Sequence, residues 1–322
     1  MKLILILLIM ITFISCKKST SGLDENEVVS KSWVTTNGLD NLSVTCITKH
    51  NNNLFAGTSN SGVFWSIDGG ANWNPRKTGL TDTSIRTMVS NDNFLFVGTT
   101  DMGVFRSSND GLTWEISNNG IGNNRILTLV AMNNYIFAGT LNHGLYRSTD
   151  QGSTWHLSGN GIPFNSIRSF MNCDSGLFAG TEGGGIYRST NFGTTWNSVS
   201  IPNANGWVTS LYINESTMLA STESSASKVY RSTDLGNYWQ DADSGMSAPG
   251  VYAFADNQNI IFAGTYWGFY FSTDNGVSWN EASQGLPDKT IYALYVESPF
   301  VYAGGAVKGI WRRELSQIVP DK

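Results

Sequence analysis

The composition is that of a secreted β protein: 34 of the 322 residues are glycine, 7 are proline and only 14% are charged. The net charge of −5 at pH 7 gives no electrostatic basis for binding nucleic acid, and we expect no such partner. The three histidines (His50, His143 and His156) fall in different predicted strands or loops, so the sequence predicts neither a metal site nor a cofactor.

The first residues predict export and lipidation. An apolar run from Leu3 to Ile14 is too short to span a bilayer as a helix, and Cys16 follows it. The string Phe13–Cys16 resembles a bacterial lipobox, in which the cysteine becomes the lipidated first residue. We therefore expect a lipoprotein signal peptide at residues 1–15, then lipidated Cys16 and a flexible tether over residues 16–31. This resemblance implies a cell-envelope protein anchored in the outer membrane, on its periplasmic or surface face. The alternative is an ordinary signal peptide with an incidental cysteine.

One string occurs six times along the chain. It reads Ser-x-Asp/Asn-x-Gly-x-x-Trp, and successive copies begin 40 to 43 residues apart. A fixed period of this size makes each repeat one supersecondary unit of a repeat architecture. The copies are Ser66–Trp73, Ser107–Trp114, Ser148–Trp155, Ser189–Trp196, Ser232–Trp239 and Ser272–Trp279.

Each repeat divides into four short apolar segments separated by turns rich in Gly, Asn and Asp, which predicts four strands, here called A to D. In one repeat they are Ile85–Val89 (A), Leu95–Thr99 (B), Gly103–Arg106 (C) and a D strand that opens with Trp114. The B-strand pattern occurs seven times. Seven four-stranded sheets at this period indicate an all-β fold, the seven-bladed β-propeller.

The two ends of the repeat region predict how the ring closes. The last unit ends after strand C, whereas residues 33–37 match the D-strand pattern. We therefore expect residues 33–37 to form the outer strand of the last blade, which leaves no long open sheet edge. The propeller is predicted to span residues 32–314, and residues 315–322 are predicted to be a C-terminal tail.

The repeated string resembles the Asp-box, or BNR repeat, of β-propellers, over roughly residues 33–313. The resemblance implies that the box forms the C–D turn, that its Asp bonds turn backbone groups, and that its Trp packs between blades. Two boxes carry Asn, which keeps the acceptor oxygen but loses the charge of a calcium ligand or catalytic acid. We therefore expect all six residues at this position to be structural: Asp68, Asn109, Asp150, Asn191, Asp234 and Asp274.

Aligning the seven repeats separates framework positions from variable ones. On one face of strand A, a β-branched column and a small column predict packing between blades. The opposite face varies, and in propellers it leads to the mouth formed by the D–A and B–C loops, opposite the boxes. There we predict an anionic or sugar-like ligand. The strand A candidates are Arg86, Arg125, Arg168, Trp207, Tyr252 and Tyr292, and the B–C loop candidates are Asp101, His143, Glu182 and Trp267, with Glu223 and Tyr266 in the same loops.

Two functions remain open. The compact blades are most similar to the photosystem II stability/assembly factor family, which implies a non-catalytic, monomeric scaffold that binds a protein or a glycan. The alternative is a sialidase-like or other glycoside hydrolase. In that case Arg86, Arg125 and Arg168 would be the carboxylate-binding triad. Tyr252 or Tyr292 would pair with Glu182 or Glu223, and Asp101 would be the acid. The Arg-Ile-Pro motif of sialidases is absent. Asp101 with Glu223 is a second possible carboxylate pair.

Overall fold

The computed structural model describes residues 32–199, 201–202, 206–214, 217–224, 227–247, 250–258 and 260–318. The predicted signal peptide, Cys16 and the tether lie outside the described residues. Within these ranges 28 strands form seven four-stranded antiparallel sheets, so the predicted seven-bladed β-propeller is confirmed. No helix in the described ranges is long and apolar enough to cross a membrane.

The strands are numbered in chain order, and each blade runs from the innermost strand A to the outermost strand D. Blades 1 to 7 are numbered by the order of their A strands along the chain. The A strands are β2 (Val44–His50), β6 (Ile85–Ser90), β10 (Ile126–Met132), β14 (Ile167–Cys173), β18 (Trp207–Asn214), β22 (Val251–Asn257) and β26 (Ile291–Glu297). The B strands are β3 (Asn53–Thr58), β7 (Leu95–Thr99), β11 (Tyr135–Thr140), β15 (Gly176–Thr181), β19 (Thr217–Glu223), β23 (Ile260–Thr265) and β27 (Phe300–Gly305). The C strands are β4 (Gly62–Ser66), β8 (Val104–Ser107), β12 (Leu145–Ser148), β16 (Ile186–Ser189), β20 (Lys228–Ser232), β24 (Phe269–Ser272) and β28 (Ile310–Glu314). The D strands are β5 (Asn74–Pro75), β9 (Glu115–Ile116), β13 (His156–Leu157), β17 (Asn197–Val199), β21 (Gln240–Asp241), β25 (Asn280–Glu281) and β1 (Val34–Thr35).

The N-terminal strand closes the ring as predicted. Strand β1 pairs with β28, so that Val34 lies opposite Arg312 in the last blade. Trp33 is buried, and its indole N–H donates to the Ala282 carbonyl of the preceding blade at 3.1 Å. At the other end of the chain, the first four residues of the predicted tail form a short helix, α1 (Leu315–Ile318), and Ile318 packs into the core of the last blade.

The D strands are shorter than the sequence pattern indicates, because the box tryptophan precedes the strand instead of opening it. The Trp114 backbone N–H donates to Thr78 O of the preceding blade at 2.9 Å, and its indole N–H donates to Arg76 O. The same backbone pattern recurs at Trp155 and Trp196. These tryptophans therefore join neighbouring blades through backbone, indole and apolar contacts.

The core lies between blades, and the B-strand glycine explains how closely they approach. The first β-branched residue of strand A is at most 1% exposed in every blade. A Cβ added at Gly98 would lie 2.5 Å from Cγ2 of Ile126, which belongs to the next blade. Any side chain at this position would collide with its neighbour. The glycine of the Ala-Gly-Thr motif in strand B therefore allows consecutive blades to pack closely.

Candidate ligand-binding site at the channel mouth

The six boxes form one repeated hydrogen-bonded turn on one face of the ring. In the third box, Ser148 Oγ accepts the Gly152 N–H at 2.8 Å and donates to Asp150 Oδ1, which also accepts the Thr154 N–H at 2.8 Å. Asn109 accepts the Thr113 N–H in the same way at 3.0 Å, and Asn191 does so with Thr195 at 2.9 Å. Asp and Asn therefore perform the same structural task in these turns.

Arginines of strand C join this face from blade to blade. Four guanidiniums donate to a box carbonyl of the next blade, in the pairs Arg106–Gln151, Arg147–Phe192, Arg231–Asn275 and Arg312–Gly69. Arg188 instead donates to Ser175 O in its own blade. The recurrent arginines therefore have a structural role, and none of these four guanidiniums is directed at the channel.

The opposite end of the channel is shaped by a β-bulge that occurs in every blade. Pairing between strands A and B shifts after the first β-branched residue of strand A, for example between Ile85 and Thr87. The extra residue in the bulge is free of the regular ladder, and a bulge of this kind redirects a side chain. The seven residues in this position are Thr45, Arg86, Leu127, Arg168, Thr209, Tyr252 and Tyr292.

All seven bulge residues line one cavity of about 650 Å³ in the channel. The small residues of strand A, such as Cys46, also reach this cavity, whereas the sequence placed them only in the packing between blades. Burial raises the pKa of the Cys46 thiol to about 12, which keeps it protonated and unreactive at neutral pH. The chemistry of the cavity therefore belongs to the bulge residues and their neighbours.

Of the two arginines that line this cavity, Arg86 is the one without an acidic partner in the part of the chain that the structure describes. Among the described residues, no carboxylate lies within ion-pair distance of its guanidinium. Partial desolvation inside the channel, followed by the positive charges of Arg168 and Arg125, lowers the pKa of Arg86. The guanidinium nevertheless stays protonated, because the ordinary arginine pKa is so high. The Arg86 side chain is exposed to the open channel, so an anionic ligand can reach its charge and would supply the missing counterion.

The other two predicted arginines already have acidic partners. Arg168 contacts Glu182 Oε2 through Nε and Nη2, both at 3.1 Å, and its guanidinium lies 3.9 Å from the Trp207 ring centroid. Arg125 contacts Asp101 at 3.3 Å on the exposed rim. These pairs explain why three arginines of similar sequence position differ in their availability to a ligand.

The other side of the cavity is aromatic. The Tyr252 and Tyr292 rings lie 5.3 Å apart at an interplanar angle of 64°. Burial raises the pKa of both phenols; the negative charge of Glu223 adds to the effect at Tyr252. Both tyrosines therefore remain hydrogen-bond donors at neutral pH. The cavity is thus lined by arginines of blades 2 and 4 on one side and by tyrosines of blades 6 and 7 on the other.

The predicted residues do not all meet in the cavity. Arg86, Arg168, Tyr252 and Tyr292 line it together. Trp267 lines an adjoining cavity at the rim, and His143 lies in a separate cleft of blade 3, where Asn123 is 2.7 Å from its Nδ1. Trp207, Asp101 and Glu182 act at the mouth through their contacts with the arginines.

Sequence reasoning missed the residues that hold the mouth loops in place. Asp82 accepts the Ser84 and Asp101 N–H groups at 2.8 and 2.9 Å, and so ties the D–A loop to the B–C loop. Burial opposes ionisation of Asp82, but these hydrogen bonds outweigh it and lower its pKa. Asp288 accepts the Thr290 and Val307 N–H groups in the last blade. The signal available in the sequence is an Asp three residues before the first residue of strand A in both repeats.

Comparisons with known proteins agree on the fold. Residues 129–249 match the family model described as the DUF6242 beta propeller domain. A search of curated proteins finds no match to the chain. These residues cover three of the blades, so the match describes a part of the ring.

Solved structures share the whole architecture at low sequence identity. YCF48 from Cyanidioschyzon merolae has a TM-score of 0.71 at 14% identity, with coverage of 89% of this chain and 100% of that chain. A structure of YCF48 bound to D1 peptide has a TM-score of 0.70 at 17% identity, with coverage of 88% and 96%. The GH74 xyloglucanase from Xanthomonas campestris has a TM-score of 0.68 at 16% identity, and the match covers 90% of this chain but only 54% of that enzyme. At these identities the likeness establishes the fold alone.

Proposed function

We propose that this protein is a binding propeller whose channel mouth holds an acidic segment of another protein. The observation that carries the proposal is the Arg86 guanidinium, which faces a cavity of about 650 Å³ without an acidic partner among the described residues. A carboxylate placed there would form a charge-assisted hydrogen bond and supply the missing counterion. The similarly folded YCF48 with its D1 peptide supports a protein segment as the ligand.

We favour binding over glycoside hydrolysis because of how the acids at the mouth are engaged. Paired-carboxylate hydrolysis needs two carboxyl groups facing the same bond. Asp101 contacts Arg125 and Glu182 contacts Arg168, so Glu223 is the one cavity-side acid without a basic partner among the described residues. The GH74 likeness extends over about half of that enzyme, and it supports the shared fold without a shared site.

The test is a binding measurement with matched peptides on the full chain. A panel of fluorescent peptides rich in Asp and Glu is compared with amide counterparts in which Asn and Gln replace the acids. We expect the acidic peptides to bind more tightly, with an affinity that falls as salt rises. Arg86→Gln should weaken the best acidic peptide about tenfold or more. Lys308→Gln removes an exposed charge on the same face, outside the cavity, and should have little effect.

Two results would overturn the proposal. Equal affinity for acidic and amide peptides would remove the charge argument, and an Arg86→Gln variant that binds like the wild type would remove the site. A polysaccharide and sialoside panel assayed in parallel addresses the alternative, because turnover of any member would establish a hydrolase instead.

We propose that lipidation at Cys16 attaches this propeller to the cell envelope, at the outer membrane. The support is the apolar run that precedes Cys16 and the polar stretch that follows it, both outside the described residues. Metabolic labelling with a fatty acid should mark the wild-type protein but not Cys16→Ala. Equal labelling of both proteins would contradict the anchor.

A further inference from the structure

A second cavity, of about 350 Å³, adjoins the channel on its aromatic side. It lies between blades 5 and 6 and shares Thr209, Glu223 and Tyr252 with the channel cavity. Its outer wall is formed by Tyr266 and Trp267 of the B–C loop in blade 6. We call this space the aromatic pocket.

The two outer aromatic rings form a corner. Their centroids are 5.0 Å apart and their planes meet at 82°, which is an edge-to-face contact between the two rings. Tyr266 is 48% exposed and Trp267 is 56% exposed, although both are large apolar side chains. Their loop is held in place, because the Trp267 N–H donates to Thr265 Oγ1 and Thr290 Oγ1 donates to Tyr266 O. Fixed, exposed aromatic faces of this kind mark a binding surface.

The floor of the aromatic pocket carries a negative charge. Glu223 has no basic side chain within ion-pair distance among the described residues. Its charge contributes to the raised pKa of Tyr252, after burial, which places the carboxylate close to that ring. The pocket therefore combines three aromatic side chains with one uncompensated carboxylate.

This combination selects cations. The face of an aromatic ring attracts an ammonium or guanidinium group, and several faces with a carboxylate attract it more strongly. The same mouth already contains one such contact, since the Arg168 guanidinium stacks on Trp207 at 3.9 Å. In the aromatic pocket, the described residues supply the aromatic faces and the carboxylate but no cation of their own.

We propose that the aromatic pocket binds an organic ammonium group. The proposal rests on the proposed function of the mouth as a binding face, and it makes the ligand bipolar: an acidic group meets Arg86 while a basic group enters between Tyr252, Tyr266 and Trp267. The ammonium comes either from a lysine side chain, methylated or not, of a protein segment or from a free small quaternary ammonium compound.

The first test compares two ligands of equal shape on the full chain. Choline carries a quaternary ammonium, and 3,3-dimethylbutan-1-ol is its neutral counterpart. We expect choline to bind, with a change in tryptophan fluorescence, and the neutral alcohol to bind about tenfold more weakly or not at all. Equal binding of the two ligands, or no binding of choline at millimolar concentration, overturns the proposal.

Variants locate the site. Glu223→Gln and Trp267→Ala should each weaken choline binding about tenfold. Their matched controls are Glu314→Gln and Tyr238→Ala, which change an exposed acid and an exposed aromatic residue away from the mouth. These two variants should bind choline with the wild-type affinity. Because Trp267 is largely exposed, its variant is expected to fold, which the thermal melting temperature verifies. Choline affinity that is unchanged in Glu223→Gln contradicts the assigned pocket.

Two further measurements distinguish the source of the ammonium group and separate this proposal from the proposed function. Tighter binding of a trimethyllysine or lysine dipeptide than of choline assigns the ammonium to a protein segment; the reverse assigns it to a small molecule, and both support the pocket. Arg86→Gln should leave choline binding intact. If acidic peptides fail to bind while choline still does, the proposed function fails and the aromatic pocket stands.

Discussion

The two faces of the ring satisfy their polar groups in opposite ways. On the box face, Ser, Asp and Asn side chains bond the turn backbone in the same pattern in blade after blade, and arginines reach the next blade. On the mouth face, the seven bulge residues differ in size and charge, and neither Arg86 nor Glu223 has an ion-pair partner among the described residues. The comparison indicates that the residues that stabilise the ring repeat from blade to blade, whereas the residues of the proposed binding site do not.

The largest effect should come from a box tryptophan. Trp155 is 2% exposed, and its indole N–H donates to Ser117 O at 2.8 Å in the preceding blade. Trp155→Ala should lower the free energy of unfolding by about 3–5 kcal/mol through the cavity that it leaves. Urea denaturation measures this loss. Tyr238→Ala, at a side chain that is 69% exposed, is the control and should change stability little.

The next effect tests the close approach of the blades. Gly98→Ala would place a methyl group 2.5 Å from Ile126 Cγ2, and the resulting overpacking should cost about 1–3 kcal/mol. Gly159→Ala is the matched control, because its nearest neighbour would be 3.8 Å away. Denaturation curves that are equal for the two variants would show that the blades separate more easily than their packing indicates.

A smaller effect concerns the charged boxes at low pH. Burial opposes ionisation of Asp68 and Asp150, but hydrogen bonds from Asn72 and Ser66 to Asp68, and from Thr154 and Ser148 to Asp150, outweigh it and lower each pKa from 3.8 to about 2. The native state therefore binds fewer protons than the unfolded chain. The stability from these carboxylates is fully present above the unfolded pKa and is lost as the pH falls towards 2.

The comparison of Asp with Asn measures this contribution. Asp150→Asn should unfold with nearly the wild-type free energy near neutral pH, since Asn109 and Asn191 make the same bonds in their own boxes. Between about pH 5 and pH 2 the wild type should lose stability relative to the variant, modestly because the carboxylate is exposed to water. Parallel pH profiles for the two proteins would contradict the assigned role of the charge.

The smallest effect on stability is expected at the mouth. Arg86→Gln removes an exposed cation that has no acidic partner among the described residues and that is repelled by Arg168 and Arg125. The free energy of unfolding should change by no more than about 0.5 kcal/mol, while binding of acidic peptides is lost. A large loss of stability would show that Arg86 has a structural role and would contradict its assignment to the binding site.

The repeat period made the fold predictable. The spacing of the boxes predicts the number of blades, and the unmatched D-strand pattern around Trp33 predicts the closure. These features were predictable from the sequence because packing between blades imposes the same residue types in each repeat. The position of Trp114 just before strand β9 could not be predicted from the sequence, since it depends on a backbone hydrogen bond to the previous blade.

The composition of the candidate site was predictable from the sequence, but its geometry was not. The alignment singles out Arg86, Arg168, Tyr252 and Tyr292, and the structure brings these four to one cavity. The alignment does not reveal the β-bulge that redirects these side chains, because a bulge is a property of strand pairing. Nor does the sequence distinguish Arg86 from Arg125, whose difference lies in the presence of Asp101 beside one of them.

Amide hydrogen exchange with and without the best-binding acidic peptide tests the central claim most directly, because it identifies the face that the ligand covers. We predict slower exchange in the loops of the mouth, around Asp82–Arg86 and Tyr266–Trp267, and no change at the boxes. Protection of the box turns, such as Ser148–Trp155, with no change at the mouth would contradict the assignment of binding to the non-repeating face.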